Sequence, residues 1–579
     1  MQKVVRLFTL MMVVVIMVAC QPDRETAELP ADAPPASAPT SQPTLEPTPE
    51  PSPTPEPTLL AQGTDGAPWW NDTVFYQVFV RSFYDSDGDG VGDINGLIEK
   101  LDYLNDGDPT TDDDLGVTGI WLMPINESPS YHGYDVVDYF TVDQEYGTNE
   151  DFQRLMEAAH ARGIRVIIDL VINHTGRDHP WFQEARGARD AEKRDWYVWA
   201  DADPGYKGPE GQKVWHCIPN GCYYGVFWDG MPDLNFENPE VTDAIYDITR
   251  FWLEEMGVDG FRLDAVKHLI ENGPLQEFTG ATYAWFEDYY AFYKSVNPDA
   301  FTVGEAWGPT RQVVRFTGDK VDVAFEFDLA QAILSSVRSR DISGRSQIQK
   351  IQSDVVRDYP PGQYATFLAN HDQDRAFSQL DEDVEKAMLA ATWQLTSPGV
   401  PFIYYGEEIG MTGVRTGNTD EPRRLPMQWS AEANAGFTTG RPWSAPARDY
   451  TVRNVAALEN DPDSLLNHYR QLIRLRNASP ALRIGDWLPV DSGSRRVYAY
   501  LRHHGDETLL MLLNLHSEPV SDYSLKLDEG PLTGGVTATL LLGDGTPGAP
   551  LVNGAGGFEE YMPFETLPPK AGYVIQLAP

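Results

Sequence analysis

The chain has 579 residues, 41% of them hydrophobic and 11% aromatic. That is too long for one compact core and implies two or more domains of an ordinary globular kind. Its 44 basic and 87 acidic side chains give a formal net charge of −43, which argues against a nucleic-acid partner and suits a soluble protein that binds neutral ligands or cations. A monomer is expected.

The first 20 residues read as a processing segment. Lys3 and Arg6 precede an apolar run, residues 7–18, too short to span a bilayer as a mature helix. It ends in Met17-Val18-Ala19-Cys20, which resembles a bacterial lipobox with Met where Leu is usual. The resemblance implies lipid on Cys20 and an extracytoplasmic protein anchored to the cell envelope. An ordinary secretory signal, and a secreted protein, is the alternative. Residues 21–68 are rich in Pro, Ala, Thr, Ser and Glu. Such a tract cannot build a core, and a disordered tether is predicted. Of the 3 cysteines, Cys217 and Cys222 remain. They fall in a loop rich in Gly, Pro and aromatic residues, and export to oxidising surroundings predicts a disulfide between them. A zinc site would need further ligands beyond His216.

From Trp69 onwards, strand and helix signals alternate. Strands are predicted at 74–80, 119–124, 165–172, 258–263, 300–304, 322–327, 364–369 and 401–405, with helices between them such as 96–104, 151–162 and 241–256. Eight strands separated by helices imply an α/β fold, a (β/α)8 barrel over 69–478. The connection at 175–238 is too long for a loop and implies an inserted subdomain. After a helix at 465–476 the pattern turns to short alternating strands, 496–502 and 508–515 among them, which predicts a C-terminal all-β sandwich over 479–579.

Polar residues collect where these strands end. Asn173 and His174 follow the third, Asp264 the fourth, Glu305 the fifth, and His371 and Asp372 the seventh. Barrel enzymes build their sites at that rim. Arg262 and Asp264, two apart on a strand, point the same way, and a nearby cation keeps a carboxylate ionised as a nucleophile requires. Glu305 lies between Val303 and Trp307, and an apolar wall favours the protonated form.

The motifs resemble those of the α-amylase family of glycoside hydrolases (family 13). They are Asp169-Leu-Val-Ile-Asn-His174, Gly257 to His268, Gly304-Glu305, Phe367-Leu-Ala-Asn-His-Asp372 and Met231-Pro-Asp-Leu-Asn235. The last is similar to a group intermediate between oligo-1,6-glucosidases and neopullulanases. The resemblance implies Asp264 as nucleophile, Glu305 as general acid/base and Asp372 as the carboxylate that stabilises the distorted sugar. It implies that Arg262 holds Asp264 ionised and that His174 and His371 hydrogen-bond the sugar at the cleaved end. Tyr134 would stack on that sugar with His132 beside it, and Lys267 and His268 would contact the leaving-side sugar. Trp307 and Trp228 supply aromatic faces of the kind that glucose rings pack on.

Asp85-Ser-Asp-Gly-Asp-Gly-Val-Gly-Asp93 places acids at alternate positions with glycines between them. Hard oxygen ligands at that spacing predict a Ca2+ site made by Asp85, Asp87, Asp89, the Val91 carbonyl and Asp93. It resembles the first half of an EF-hand loop, yet Gly96 stands where the bidentate Glu belongs. A further family calcium site is expected near Asn173. The implied function is retaining cleavage of α-1,4 bonds in starch and maltooligosaccharides. Ala265 supports it, since related α-1,6 enzymes carry Val there. A transglycosylase, a glucosidase or neopullulanase-like enzyme, and a non-catalytic glucan-binding relative are the alternatives; the last lacks the carboxylates present here.

Overall fold

A computed structural model describes residues 59–343, 347–417 and 419–579. The signal segment, Cys20 and the tether up to residue 58 lie outside the described residues. All eight predicted barrel strands are present: β1 (Phe75–Val78), β2 (Gly119–Leu122), β3 (Arg165–Leu170), β4 (Gly260–Leu263), β5 (Phe301–Gly304), β6 (Val323–Phe325), β7 (Tyr364–Thr366) and β8 (Val400–Tyr404). They pair in chain order, all parallel, and β1 closes the ring by pairing with both β2 and β8.

Side chains alternate between the two faces of a strand, and the inward positions explain the barrel. Near its N-terminal end they are apolar: Phe75, Ile167, Phe301, Val323 and Phe402 share one cluster. Phe75 stacks on Phe402 at 4.6 Å and on Phe301 at 5.3 Å. Trp69 closes this end, packed edge-on against Phe301 at 5.6 Å and donating its indole N–H to the Asp299 carbonyl at 2.8 Å. Two residues further along β1, β3 and β4 the inward positions become Gln77, Asp169 and Arg262, all buried. A polar layer thus caps an apolar one just below the C-terminal rim. Gly260 makes the approach of β4 to β5 close: a Cβ there would lie 1.9 Å from the Phe301 carbonyl oxygen.

Between β3 and the helix Pro239–Arg250 the chain forms a three-stranded sheet of Trp199–Ala200, Gly221–Tyr224 and Trp215–Ile218. Cys217 and Cys222 face each other across its hairpin and are disulfide-bonded. The helix predicted to run unbroken over 241–256 ends at Arg250 and continues as a wider π-turn, Phe251–Glu255. Trp252 of that turn is buried and its indole N–H donates to the Tyr139 carbonyl at 2.8 Å.

Beyond the helix Leu465–Ala478 lie β9 (Asp486–Val490), β10 (Val497–His504), β11 (Glu507–Asn514), β12 (Leu525–Glu529), β13 (Thr537–Leu542), β14 (Gly556–Tyr561) and β15 (Gly572–Ala578). One sheet has the order β9-β10-β11-β15-β13 and a second pairs β12 with β14. Val497, Leu501 and Leu512 of the first share a core with Leu525, Leu527 and Phe558 of the second, the layering of a sandwich.

The composition assigns residues 59–68 to the disordered tether, and the structure corrects this. Arg165 Nη2 donates to the Ala61 carbonyl at 3.2 Å, Thr64 Oγ1 to Asp72 at 3.0 Å, and His504 pairs with Asp65 at 2.7 Å. The Pro-rich composition stops at Pro57, and the segment after it finds partners on the folded unit. A protein that begins at Gly66 loses the Ala61 and Asp65 contacts. Against one that begins at Thr58, its melting temperature is expected to fall by roughly 1–2 °C, read by calorimetry. Equal melting temperatures would show that these contacts add no stability.

Candidate active site

Leu263 ends β4 and Gly304 ends β5, and the two residues are paired in register. Asp264 and Glu305 are therefore the first residues past adjacent strand ends, at one level. The Glu305 N–H donates to the Leu263 carbonyl and the Val266 N–H to the Glu305 carbonyl, both at 3.0 Å. Ala265 adopts a left-handed conformation, φ 49°, rare for a residue with a Cβ. That turn aims its N–H at Glu305 Oε2, 3.2 Å away.

One guanidinium ties the cluster together. Arg262 Nη1 donates to Asp264 Oδ1 at 2.8 Å and to Asp169 Oδ1 at 2.7 Å, and Nη2 to Glu305 Oε2 at 2.7 Å. Arg262 and Asp169 are paired in register on β4 and β3 and are 0% exposed. Asp169 stands in a quoted motif without a predicted role, although a lone acid inside an apolar strand is itself a signal. Tyr134 Oη donates to Asp169 Oδ2 at 3.0 Å, so the proton between Tyr134 Oη and His371 Nε2, 2.6 Å apart, belongs to the histidine. Gln77 Nε2 lies 2.8 Å from His371 Nδ1.

Asp372 has different partners. Its Oδ1 accepts from Arg424 Nη2 at 2.8 Å and its Oδ2 lies 3.2 Å from His371 Nε2. Arg423 Nη1 donates to its backbone carbonyl at 2.7 Å. Arg423 and Arg424 come from a loop that carries no motif, and sequence reasoning missed them, as it missed Gln77.

These groups face a cleft of about 740 Å³. Of the predicted site residues, Asp264, Glu305, Asp372, His132, Tyr134, His174, Lys267, His268 and Trp307 line it. Arg262 and His371 do not: both are fully buried behind the carboxylates and Tyr134. His371, expected on the sugar, therefore reaches the cleft through Tyr134 and Asp372, on whose atoms its Nε2 is spent. His174 donates Nε2–H to the Tyr134 carbonyl at 3.1 Å. His132 Nδ1 lies 3.0 Å from Ser130 Oγ. Lys267 is turned onto the Trp307 carbonyl at 2.9 Å and Glu277 at 2.5 Å, while His268 donates Nδ1–H to the Gln276 carbonyl at 3.1 Å. Phe227, Trp228 and Trp307 remain 41%, 48% and 48% exposed at the cleft wall. Trp307 is backed by Phe327, stacked at 4.7 Å.

Burial and neighbouring charge set the protonation states. Burial pushes Glu305 up, and Asp264 and Asp372 push it further, against the pull of Arg262. Burial, with the charge of Asp372, also leaves Asp264 raised, although Arg262 and a hydrogen bond from Glu305 work against it. Asp169 is pushed up to about 7 by burial despite Arg262. For Asp372 burial is outweighed by His371 and Arg424, which hold it well below the usual carboxylate range. Burial lowers His132, His174 and His268 to about 4, so all three are neutral at pH 7.

The acidic loop lies apart from the cleft. Ligand atoms of Asp85, Asp87 and Asp89 lie within 4.8 Å of one another. Gly88 and Gly90 take left-handed φ values of 84° and 102°, and a Cβ on Gly90 would lie 1.9 Å from the Arg441 carbonyl oxygen. Burial raises Asp89, and the charges of Asp87, Asp85 and Asp93 raise it further. Asp93, the last acid of the predicted set, has protein partners as well. Its oxygens accept from Ser86 N and Oγ and from Gly96 N, as the N-cap of the helix Ile94–Glu99. The Val91 N–H donates to Asp89 Oδ1 at 2.7 Å. A second oxygen pair lies where the barrel meets the insertion: Asn173 Oδ1 and Asp233 Oδ2 are buried without a hydrogen-bond partner among the described residues. Both groups offer the hard oxygen donors that Ca2+ takes.

A family model described as "Alpha amylase, catalytic domain" matches residues 77–485. The chain is 38% identical over 455 residues to alpha-amylase 3 of Dictyoglomus thermophilum, covering 78% of this chain and 86% of that protein. It is 34% identical over 519 residues to the oligo-1,6-glucosidase of Parageobacillus thermoglucosidasius, covering 77% and 90%. The crystal structure of the alpha-amylase from H. orenii superposes with a TM-score of 0.75 at 42% identity, covering 87% of this chain and 99% of that one. With the barrel, the rim carboxylates and these matches together, the chain belongs to the α-amylase family of glycoside hydrolases.

Proposed function

We propose that the protein is a retaining hydrolase of α-1,4-glucans, acting on starch and maltooligosaccharides as an α-amylase does. The observation that carries this is the Arg262 guanidinium bridging Asp264 and Glu305. It holds the two carboxyl groups within hydrogen-bonding reach of each other, which leaves no room for the water that an inverting pair needs between them. Asp264 attacks the anomeric carbon while Glu305 gives its proton to the leaving oxygen, and a glycosyl-enzyme ester forms. Glu305, now a base, takes a proton from water, which releases the sugar and restores Asp264. Asp372, kept ionised by His371 and Arg424, stabilises the positive charge that develops on the ring. Tyr134 stacks on the sugar at the cleaved end. Relatedness to an alpha-amylase supports α-1,4 specificity, as does Ala265. A transglycosylase on the same residues is the second reading, favoured by Phe227, Trp228 and Trp307, whose exposed faces suit an acceptor sugar as well as a leaving one. Chromatography of products from soluble starch, pullulan and maltotriose over time separates the two.

Asp264→Asn is expected to lower turnover at least ~10³-fold with an unchanged fold, since an amide cannot form the ester. Retention of a few per cent of activity would remove Asp264 from the nucleophile role. Glu305→Gln is expected to fail on starch yet to form the intermediate from a substrate with a good leaving group. Because Glu305 is raised, wild-type kcat/KM should hold below its pKa and fall as pH rises through it. Glu305→Gln should lose that alkaline limb on the activated substrate, and a retained limb would assign it to another group.

We infer that Asp85, Asp87 and Asp89, with the Val91 carbonyl and Asp93, hold Ca2+, with Asn173 and Asp233 as a second oxygen site. The ion supplies charge that holds the loop together and takes no part in the chemistry. A chelator is expected to lower the melting temperature more than activity at moderate temperature, because the ion binds only the folded loop. Asp87→Ala with Asp89→Ala should abolish that shift, and an undiminished shift would place the relevant ion at Asn173 and Asp233.

The third proposal is location. Lipid on Cys20 would hold the enzyme at the cell surface, where glucans too large to enter are cut close to uptake systems. One acyl chain binds only marginally, whereas the several chains of a bacterial lipoprotein anchor stably. Mass spectrometry of the mature N-terminus is expected to find a modified Cys20. An unmodified terminus downstream of it would mean a secreted enzyme.

A further inference from the structure

We propose that Gln77 is a positioning residue of the active site: it donates its amide N–H to His371 Nδ1 and so keeps that histidine neutral, with its one proton on Nε2, aimed at Tyr134 and Asp372. Gln77 lies on β1 and is paired in register with Trp121 on β2 and Tyr404 on β8, so the barrel backbone sets its place. Gln77 is 1% exposed and His371 0%, so the choice of tautomer falls to protein atoms.

The tautomer follows from the atoms around the ring. A neutral imidazole has one N–H and one lone pair, and the partner of one nitrogen fixes the state of the other. Nε2 lies 2.6 Å from Tyr134 Oη, whose own hydrogen goes to Asp169 Oδ2 at 3.0 Å. It also lies 3.2 Å from Asp372 Oδ2, an ionised oxygen that can only accept. Two acceptors on that side place the proton on Nε2 and the lone pair on Nδ1. Gln77 Nε2 stands 2.8 Å from Nδ1 as the donor. The ring lies parallel to Tyr134 at 5.5 Å and edge-on to Trp121 at 5.7 Å, which fixes its plane.

The same contact limits the charge. A second proton on His371 would sit on Nδ1, against a donor. Burial also lowers His371; Asp372 works the other way, and Arg424 and Arg262 add to the lowering. Glu305 is the further titrating group that feels this ring. At neutral pH Asp372 then keeps its charge on one cation, Arg424, and one neutral N–H. A cationic histidine beside it would cancel the negative charge that the sugar ring is to meet in the transition state. That consequence rests on the glucan-cutting role proposed above; the tautomer does not.

The test labels the full chain with 15N-histidine and reads it by long-range 1H–15N correlation at neutral pH. His371 is the signal, among 11 histidines, that disappears in His371→Asn. Wild type is expected to show a protonated Nε2 and a hydrogen-bonded, unprotonated Nδ1; a proton on Nδ1 would overturn the proposal. Gln77→Met, of similar size, cannot donate. Its Nδ1 resonance should move toward that of a free lone pair, and kcat on starch should fall about tenfold with KM little changed. An unmoved Nδ1 resonance, or a lower melting temperature with kcat intact, would leave Gln77 a packing role only. Gln77→Asn, one carbon too short to reach, should act in the same direction and is the variant to read if Gln77→Met folds poorly. If the wild type cuts no glucan, the catalytic reading fails instead, and the Nδ1 resonances still decide the role of Gln77.

Discussion

The site depends on one buried cation shared by three acids. Arg262 is fully enclosed and donates to Asp169, Asp264 and Glu305. A buried charge costs several kcal/mol unless it is paired, so each partner stabilises the others. The balance of the group is nevertheless negative, because one guanidinium cannot neutralise three carboxylates at low dielectric. The excess is relieved by retaining a proton, and burial with like-charged neighbours raises Glu305 accordingly. The raised Glu305 therefore follows from burial and a count of charges inside the barrel mouth. Asp169 contributes to it without reaching the cleft.

The barrel fixes where that count is made. Strand alternation turns the inward row from Phe75, Ile167 and Gly260 to Gln77, Asp169 and Arg262 within one repeat. The apolar layer below is packed aromatic on aromatic and gives the polar layer a rigid floor. Gly260 lets β4 lie close to β5, which sets Asp264 and Glu305 side by side. A site built this way is positioned by backbone pairing rather than by the packing of loops.

Much of this was legible in the sequence because the signals are local. Alternation and length mark the strands, and strand ends mark the rim, so Asp264, Glu305, Asp372 and their neighbours could be named from spacing and motif. Long-range partners left no such trace. Arg424 meets Asp372 from a distant loop, and nothing in residues 413–424 announces it. Gln77 reads as an ordinary strand residue until His371 is found against it. Asp93 fits the alternating ligand pattern, and the structure adds a second role, since a helix begins one residue later and takes its oxygens as a cap. Composition alone extends the tether too far, because the contacts of Ala61 and Asp65 depend on residues a hundred or more positions away.

Asp372 shows why the carboxylates at one rim need not behave alike. Asp264 and Glu305 share a cation with a third acid, while Asp372 has Arg424 to itself and His371 beside it. Its charge is therefore secure where theirs is contested. The loop that brings Arg424 is itself held: Arg423 donates to the Asp372 and Asp374 side of the cleft and pairs with Asp420, and the buried Arg375 donates to the Arg423 carbonyl at 3.0 Å. Separate backbone segments thus impose two electrostatic regimes on one small volume. A carboxyl group that is raised and one that is held low can then face the same cleft.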